Sequence, residues 1–180
     1  MNGYIETIHT RLRTIRREDL ETLGNLMNDR GISVMTGEVY PMTEHKLDDF
    51  YTRTQQTNDR VWFVIEDKET GQVIGETGFL RIFMPWRTAD FSLMIWNRDF
   101  WRRGYGREVS DAMLDYGFNS LNFHRVAIGV VEQNTRAMRF WTNIGFIEEG
   151  RQKDGFFRRG EYSDFVMMYM LEGEFRRKHS

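Results

Sequence analysis

The 180-residue chain has no cysteine. That excludes disulfides, thiolate catalysis and cysteine-ligated zinc. It has two prolines, Pro41 and Pro85, and neither lies in a linker-like stretch. A single domain over residues 1–180 is expected. No apolar run approaches the length of a membrane span. Residues 1–10 carry Glu6 and His9 and no long apolar segment, so no secretory leader is expected, and the cytoplasm is the expected location. Net charge is −2, with acidic and basic residues interleaved. Nucleic acid held by bulk electrostatics would need a strongly basic face, so none is expected as a partner. Arg158-Arg159 and Arg176-Arg177-Lys178 read as solvated surface or tail.

What is present suffices for a core: 40% hydrophobic residues, with 14% aromatics. Alternation predicts a first strand over Thr10–Arg16. Helical spacing of Leu20, Leu23, Leu26 and Met27 predicts a helix over Asp19–Asn28. A second helix is expected over Thr43–Gln55, capped by Thr43. Val61–Glu66 and Val73–Ile82 flank a turn and read as an antiparallel hairpin. Strands follow at Ala89–Trp96, Arg125–Val131, Phe146–Arg151 and Ser163–Leu171. Helices are expected from Gly106 to about Ser120 and over Asn134–Asn143, the latter ended by Gly145. This order describes an α/β fold with a mixed sheet and one parallel βαβ crossover.

The chemistry concentrates between a strand and a helix, at Trp101-Arg102-Arg103-Gly104-Tyr105-Gly106-Arg107-Glu108. A glycine turn opening a helix leaves backbone N–H groups free to converge on a phosphate. A turn needing glycine for geometry alone fits these residues too. A nucleotide-hydrolase loop would need Gly-Lys-Ser/Thr, which is absent. A dinucleotide fingerprint would need a third glycine where Val109 stands.

The loop, together with Asn134-Thr135-Arg136-Ala137-Met138-Arg139-Phe140-Trp141 and Gly145-Phe146, resembles the GNAT acetyltransferase superfamily. The resemblance is carried by Thr88 to Leu171 and is closest to the branch that acetylates ribosomal-protein N-termini. Both loop glycines match the family's Gln/Arg-x-x-Gly-x-Gly/Ala frame, while Trp101 departs from it. The resemblance implies a splayed central sheet and acetyl-coenzyme A as cosubstrate. It implies that Arg102, Arg103, Gly104, Tyr105, Gly106 and Arg107 hold the pyrophosphate. Main-chain groups of Met94, Ile95 and Trp96 would pair with the pantetheine arm, and Asn134 would bond it or cap its helix.

The implied reaction is attack of a primary amine on the thioester. Asp90, Glu76 and Glu38, in that order, are candidate bases. Many relatives place a tyrosine acid where Trp141 stands, and an indole N–H does not exchange its proton near neutrality. Trp141 is therefore expected to wall the acetyl site. His124 precedes a strand and reads as structural. Glu38, Tyr40, Trp62, Phe83 and Trp86 are expected to line the acceptor site, with Trp62 also suited to the core. A protein N-terminus is the first acceptor expected and a polyamine or other small amine the second; a non-catalytic coenzyme-A-binding regulator is the rival. The motifs call for no metal and no membrane. In such folds the last strands often pair between subunits, which makes a homodimer an expectation of the resemblance.

Overall fold

The computed structural model describes residues 3–36, 40–56 and 58–179. Short strands β1 (Ile5–Glu6) and β2 (Thr10–Arg13) precede helices α1 (Asp19–Met27), α2 (Arg30–Thr36) and α3 (Glu44–Gln56). Strands β3 (Val61–Asp67), β4 (Val73–Phe83) and β5 (Thr88–Ile95) form a meander. Helix α4 (Tyr105–Asp115), strand β6 (Arg125–Val131) and helix α5 (Thr135–Ile144) follow. Strands β7 (Ile147–Arg158) and β8 (Glu161–Leu171) make a long hairpin, and α6 (Glu172–His179) follows.

The eight strands form one sheet in the order β1-β2-β3-β4-β5-β6-β8-β7. Only the β5–β6 pair is parallel among them. The sheet has a helical layer on each face. One apolar cluster joins Phe79, Phe91, Val109, Met113, Phe118, Val126, Ile128 and Trp141, beneath α4 and α5. The other joins Leu23, Met27, Leu47, Val64 and Trp96, beneath α1 and α3. Strand β5 serves both by simple alternation: Ala89, Phe91, Leu93 and Ile95 face the first cluster, Met94 and Trp96 the second. Each fully buried Leu, Ile or Phe contributes about 1.5–3 kcal/mol.

The expected order of elements holds, with additions. The first strand ends at Arg13, short of Arg16: Arg13 makes the last rung, opposite Val64, and beyond it the Arg16 N–H turns to Asp19 at the start of α1. β1, α2 and α6 were not read from the sequence: two residues, or a helix without a long apolar face, give too weak a period. The helix expected to reach Ser120 is α-helical to Asp115 and closes in a π-turn over Tyr116–Ser120. β7 runs seven residues past Arg151, a stretch mostly exposed and without alternation.

The feature that positions a site is the way β5 and β6 part. Their ladder has three rungs, Thr88 with Arg125, Ala89 with Val126 and Asp90 with Ala127. Beyond these rungs β5 stays paired to β4 as far as Ile95, opposite Gly75. β6 stays paired to β8 as far as Val131, opposite Phe165. Each strand keeps its outer neighbour and loses its inner one. The sheet therefore splays at the carboxyl ends of two parallel strands, where open α/β sheets place ligands.

Candidate active site

The glycine turn sits at the mouth of this gap. Arg102 (φ 61°) and Gly104 (φ 88°) adopt left-handed conformations and drive the chain sharply into α4. No side chain caps α4 at Gly104, and a Cβ there would meet nothing within 4 Å. The first intrahelical bond of the turn runs from Glu108 N–H to Gly104 O. The N–H groups of Tyr105, Gly106 and Arg107 precede it and have no acceptor one turn back. At Gly106 a Cβ would lie 3.4 Å from the Phe140 ring and 3.9 Å from Ile95 Cδ1. A larger residue would crowd the mouth. The loop is anchored from below. Tyr105 is buried and its hydroxyl donates to Asp67 (2.7 Å). Glu108 accepts from the His9 backbone N–H (2.7 Å). Arg103 lies over the Phe100 and Tyr105 rings, and Arg107 donates to Asn143 O.

Within the gap the expected trio needs correction at Trp96. Its N–H donates to Ile74 O (3.0 Å) on the β4 side, so it is not free. Alternation then turns Met94 toward β4, and Leu93 and Ile95 toward the gap. The Ile95 carbonyl already accepts the Trp101 indole N–H (2.7 Å). The departure from the family frame at Trp101 thus has a local role, since its indole satisfies a carbonyl that the splay orphans. The Arg136 guanidinium, at the start of α5, lies 4.6 Å over the same indole and ties the two lips of the gap together. Nothing in the sequence alone could have paired residues 35 positions apart.

Asn134 caps α5, its side chain accepting from Ala137 N–H (3.1 Å), and Gly145 ends that helix at φ 115°. Both were read from sequence. Trp141 is buried among Phe91, Phe140 and Phe146, with ring centroids 5.5, 4.8 and 5.4 Å away. The contact with Phe91 on β5 suits a wall of the gap.

The candidate carboxylates separate sharply. Asp90 stands on the last closed rung and is ion-paired with Arg81, so its carboxylate is already neutralised and lies short of the gap. Its place on the closed part of the ladder sets it apart from Glu76. Glu38 lies outside the described residues. Glu76 is 6% exposed on the α1–α3 face and stands opposite Met94 in the β4–β5 ladder. Burial pushes its carboxyl up to about 7. Two indole N–H groups oppose that rise. Trp62 donates to Oε2 at 3.0 Å. Trp96 Nε1, buried without a partner at hydrogen-bond distance, also favours the ionised form. No ion pair of Glu76 occurs among the described residues. His124 bonds Glu172 (3.0 Å) and is structural.

The expected acceptor lining does not converge. Phe83 and Trp86 are exposed at the turn before β5, while the glycine loop follows its end, roughly 26 Å away along the strand. Tyr40 is exposed under Lys46. Only Trp62 reaches the neighbourhood of Glu76. A cavity of about 350 Å³ opens instead beside Asn134, between α2, the start of α5 and β7. Among the described residues no cluster of three or more metal-ligating side chains occurs, and no helix is long and apolar enough to cross a membrane.

Residues 9–147 match the family model of the acetyltransferase (GNAT) domain. The chain belongs to this family. It is 30% identical to the spermidine N(1)-acetyltransferase of Vibrio cholerae over 164 residues, covering 91% of this chain and 94% of the relative. It is 25% identical to the Escherichia coli K12 spermidine N(1)-acetyltransferase over 169 residues, covering 94% and 89%. The crystal structure of the Vibrio cholerae spermidine N-acetyltransferase with CoA and spermine superposes with a TM-score of 0.85, covering 93% of this chain and 98% of that one. The splayed mixed α/β sheet is thus the GNAT fold, and the chain is an acetyl-CoA-dependent N-acetyltransferase. The expected likeness to the ribosomal-protein branch is not confirmed: these two relatives, which match over most of the chain, are polyamine acetyltransferases by name. The rival reading as a non-catalytic regulator is set aside.

Proposed function

We propose that this acetyltransferase modifies the primary amine of a small aliphatic molecule, with Glu76 as the base. The supporting observation is the buried Glu76 carboxyl, without a cation partner among the described residues and raised to about 7, opposite Met94 and next to the open edge of β5. At neutral pH such a group is ionised about half the time and can still drive proton transfer, which is the best compromise for a base. The substrate ammonium gives its proton to Glu76, directly or through water. The neutral nitrogen then attacks the thioester carbonyl and the C–N bond forms; the C–S bond breaks with departure of the thiolate, and the extra proton on nitrogen passes to water or to the thiolate, leaving the neutral amide. A thiolate of pKa about 8.5 leaves without an obligatory acid, which fits an indole at position 141. Amides turned into the gap at Leu93 and Ile95 are suited to the oxyanion. The polyamines of the relatives' names support a small acceptor over a protein N-terminus and are the reference members of the class.

The test is thiol release from acetyl-CoA with spermidine, 1,4-diaminobutane, simple amino acids and an N-terminal peptide. Glu76→Gln is expected to lower kcat by about 100- to 10,000-fold with little change in acetyl-CoA affinity. Retention of full activity by this variant removes Glu76 as the base. Turnover of the peptide alone removes the small-amine reading.

A further inference from the structure

The cavity beside α5 has an unusual charge for an amine site. Arg136 and Arg158 line it, with Gln133, Asn134, Phe156 and Gly31, and none of its lining residues is acidic among the described residues. Neither arginine has a carboxylate partner among the described ion pairs, although most of the arginines elsewhere do. Arg158 Nε is buried and has no hydrogen-bond partner. A buried guanidinium donor left open in a native fold needs an explanation, and an absent ligand supplies one. Glu161 stands opposite Arg158 in the β7–β8 ladder, yet the two form no ion pair. Arg136 is held in place by its stacking on Trp101. Asn134 accepts from Ala137 N–H, and its carbonyl from Met138 N–H, which leaves the Thr135 and Arg136 amides at the positive end of the ten-residue helix.

We infer that this cavity is a subsite for a compact oxyanion, carboxylate or phosphonate, at the far end of the amine acceptor. The inference rests on the small-amine reading and narrows it to amines that also carry an anion. A guanidinium fork matches a planar or tetrahedral oxyanion through parallel N–H bonds. Phe156 offers an apolar wall to the linking methylenes. A polyamine is cationic along its whole length and would place an ammonium against two guanidinium groups that have no carboxylate partner among the described residues. The relatives' acceptor and this chain's acceptor therefore share the reacting amine and differ in what trails behind it.

A matched pair isolates that difference. 4-Aminobutanoate and 1,4-diaminobutane share a four-carbon chain with a terminal amine and differ at the other end; 3-aminopropylphosphonate adds a phosphonate arm. With wild-type enzyme and acetyl-CoA, kcat/KM is expected to favour at least one of the anionic amines over the diamine by tenfold or more. Arg158→Gln should erase most of that preference, by about ten- to a hundredfold, through KM more than kcat. Calorimetry of 4-aminobutanoate and 3-aminopropylphosphonate against the enzyme–CoA complex reads the subsite without turnover, and binding of either should weaken likewise in Arg158→Gln. A preference for the diamine, or a ratio untouched by Arg158→Gln, overturns the inference. So does absence of binding of both anionic amines to the CoA complex, because the cavity would then hold the cofactor's own phosphate or nothing. If no amine is turned over while binding persists and depends on Arg158, the subsite stands and the small-amine reading falls.

Discussion

Asp19, at the start of α1, and Glu76, on β4, are both buried carboxylates, 5% and 6% exposed. Desolvation is the largest influence on each and raises both. Their fates are opposite. Asp19 receives the full Arg13 fork, at 2.8 Å to each oxygen, and the Arg16 N–H at 2.8 Å. Its carboxyl is held below the ordinary value. Glu76 receives one neutral indole donor, from Trp62, and no cation among the described residues, and is held above it. The same burial therefore makes one carboxylate a fixed strut and the other a titratable group. What separates them is a partner charge, as expected where removing water must be offset by something equally polar.

The sharpest way to break this contrast is to take the partner away. Arg13→Ala leaves Asp19 buried and uncompensated, and should cost about 3–5 kcal/mol in urea unfolding. A loss under 1 kcal/mol would show that water reaches Asp19 and that its fork is ornamental. Next in size is the converse at Glu76. A carboxyl raised from 4.5 to about 7 stabilises the fold in its neutral form below pH 4.5 and forfeits that contribution as pH rises through 7. The difference amounts to about 3 kcal/mol. Glu76→Gln should remove this slope and unfold later than wild type at pH 8, while losing activity. Thermal melts between pH 5 and 8 measure it, and parallel curves for the two proteins would refute the raised carboxyl.

A smaller effect tests the indole. Trp62 donates to the ionised form, so Trp62→Phe should push Glu76 higher still. The acidic limb of kcat/KM should move up by roughly 1–2 pH units. An unmoved limb would mean that another group sets it. For Asp19 no comparable shift of activity is expected from any change to Arg13 that leaves the protein folded.

Much of the fold was legible because its periods are strong. β6 falls on the expected residues, and the Asn134 and Gly145 caps stand where their side-chain chemistry put them. The glycine loop was legible for a local reason too, since Gly104 takes a positive φ that favours glycine. The ranking of the candidate carboxylates was not. Asp90 and Glu76 are both acids on strands, and sequence says nothing of Arg81 folding onto one and two tryptophans enclosing the other. Nor could it show that Arg158, one of two adjacent arginines in an apparently solvated cluster, turns its Nε inward beside Arg136.

Local sequence set the alternation of strands and helices, the two caps and the glycine turn before α4. Each depends on residues within a few positions of one another, through dihedral preference, hydrogen-bond competition and hydrophobic period. Only the folded chain decides where β5 and β6 part, which carboxyl is buried beside indoles and not beside a guanidinium, and which arginines line the cavity by α5. Those outcomes are set by burial and charge among residues tens of positions apart, and neither can be evaluated until the chain has closed around them.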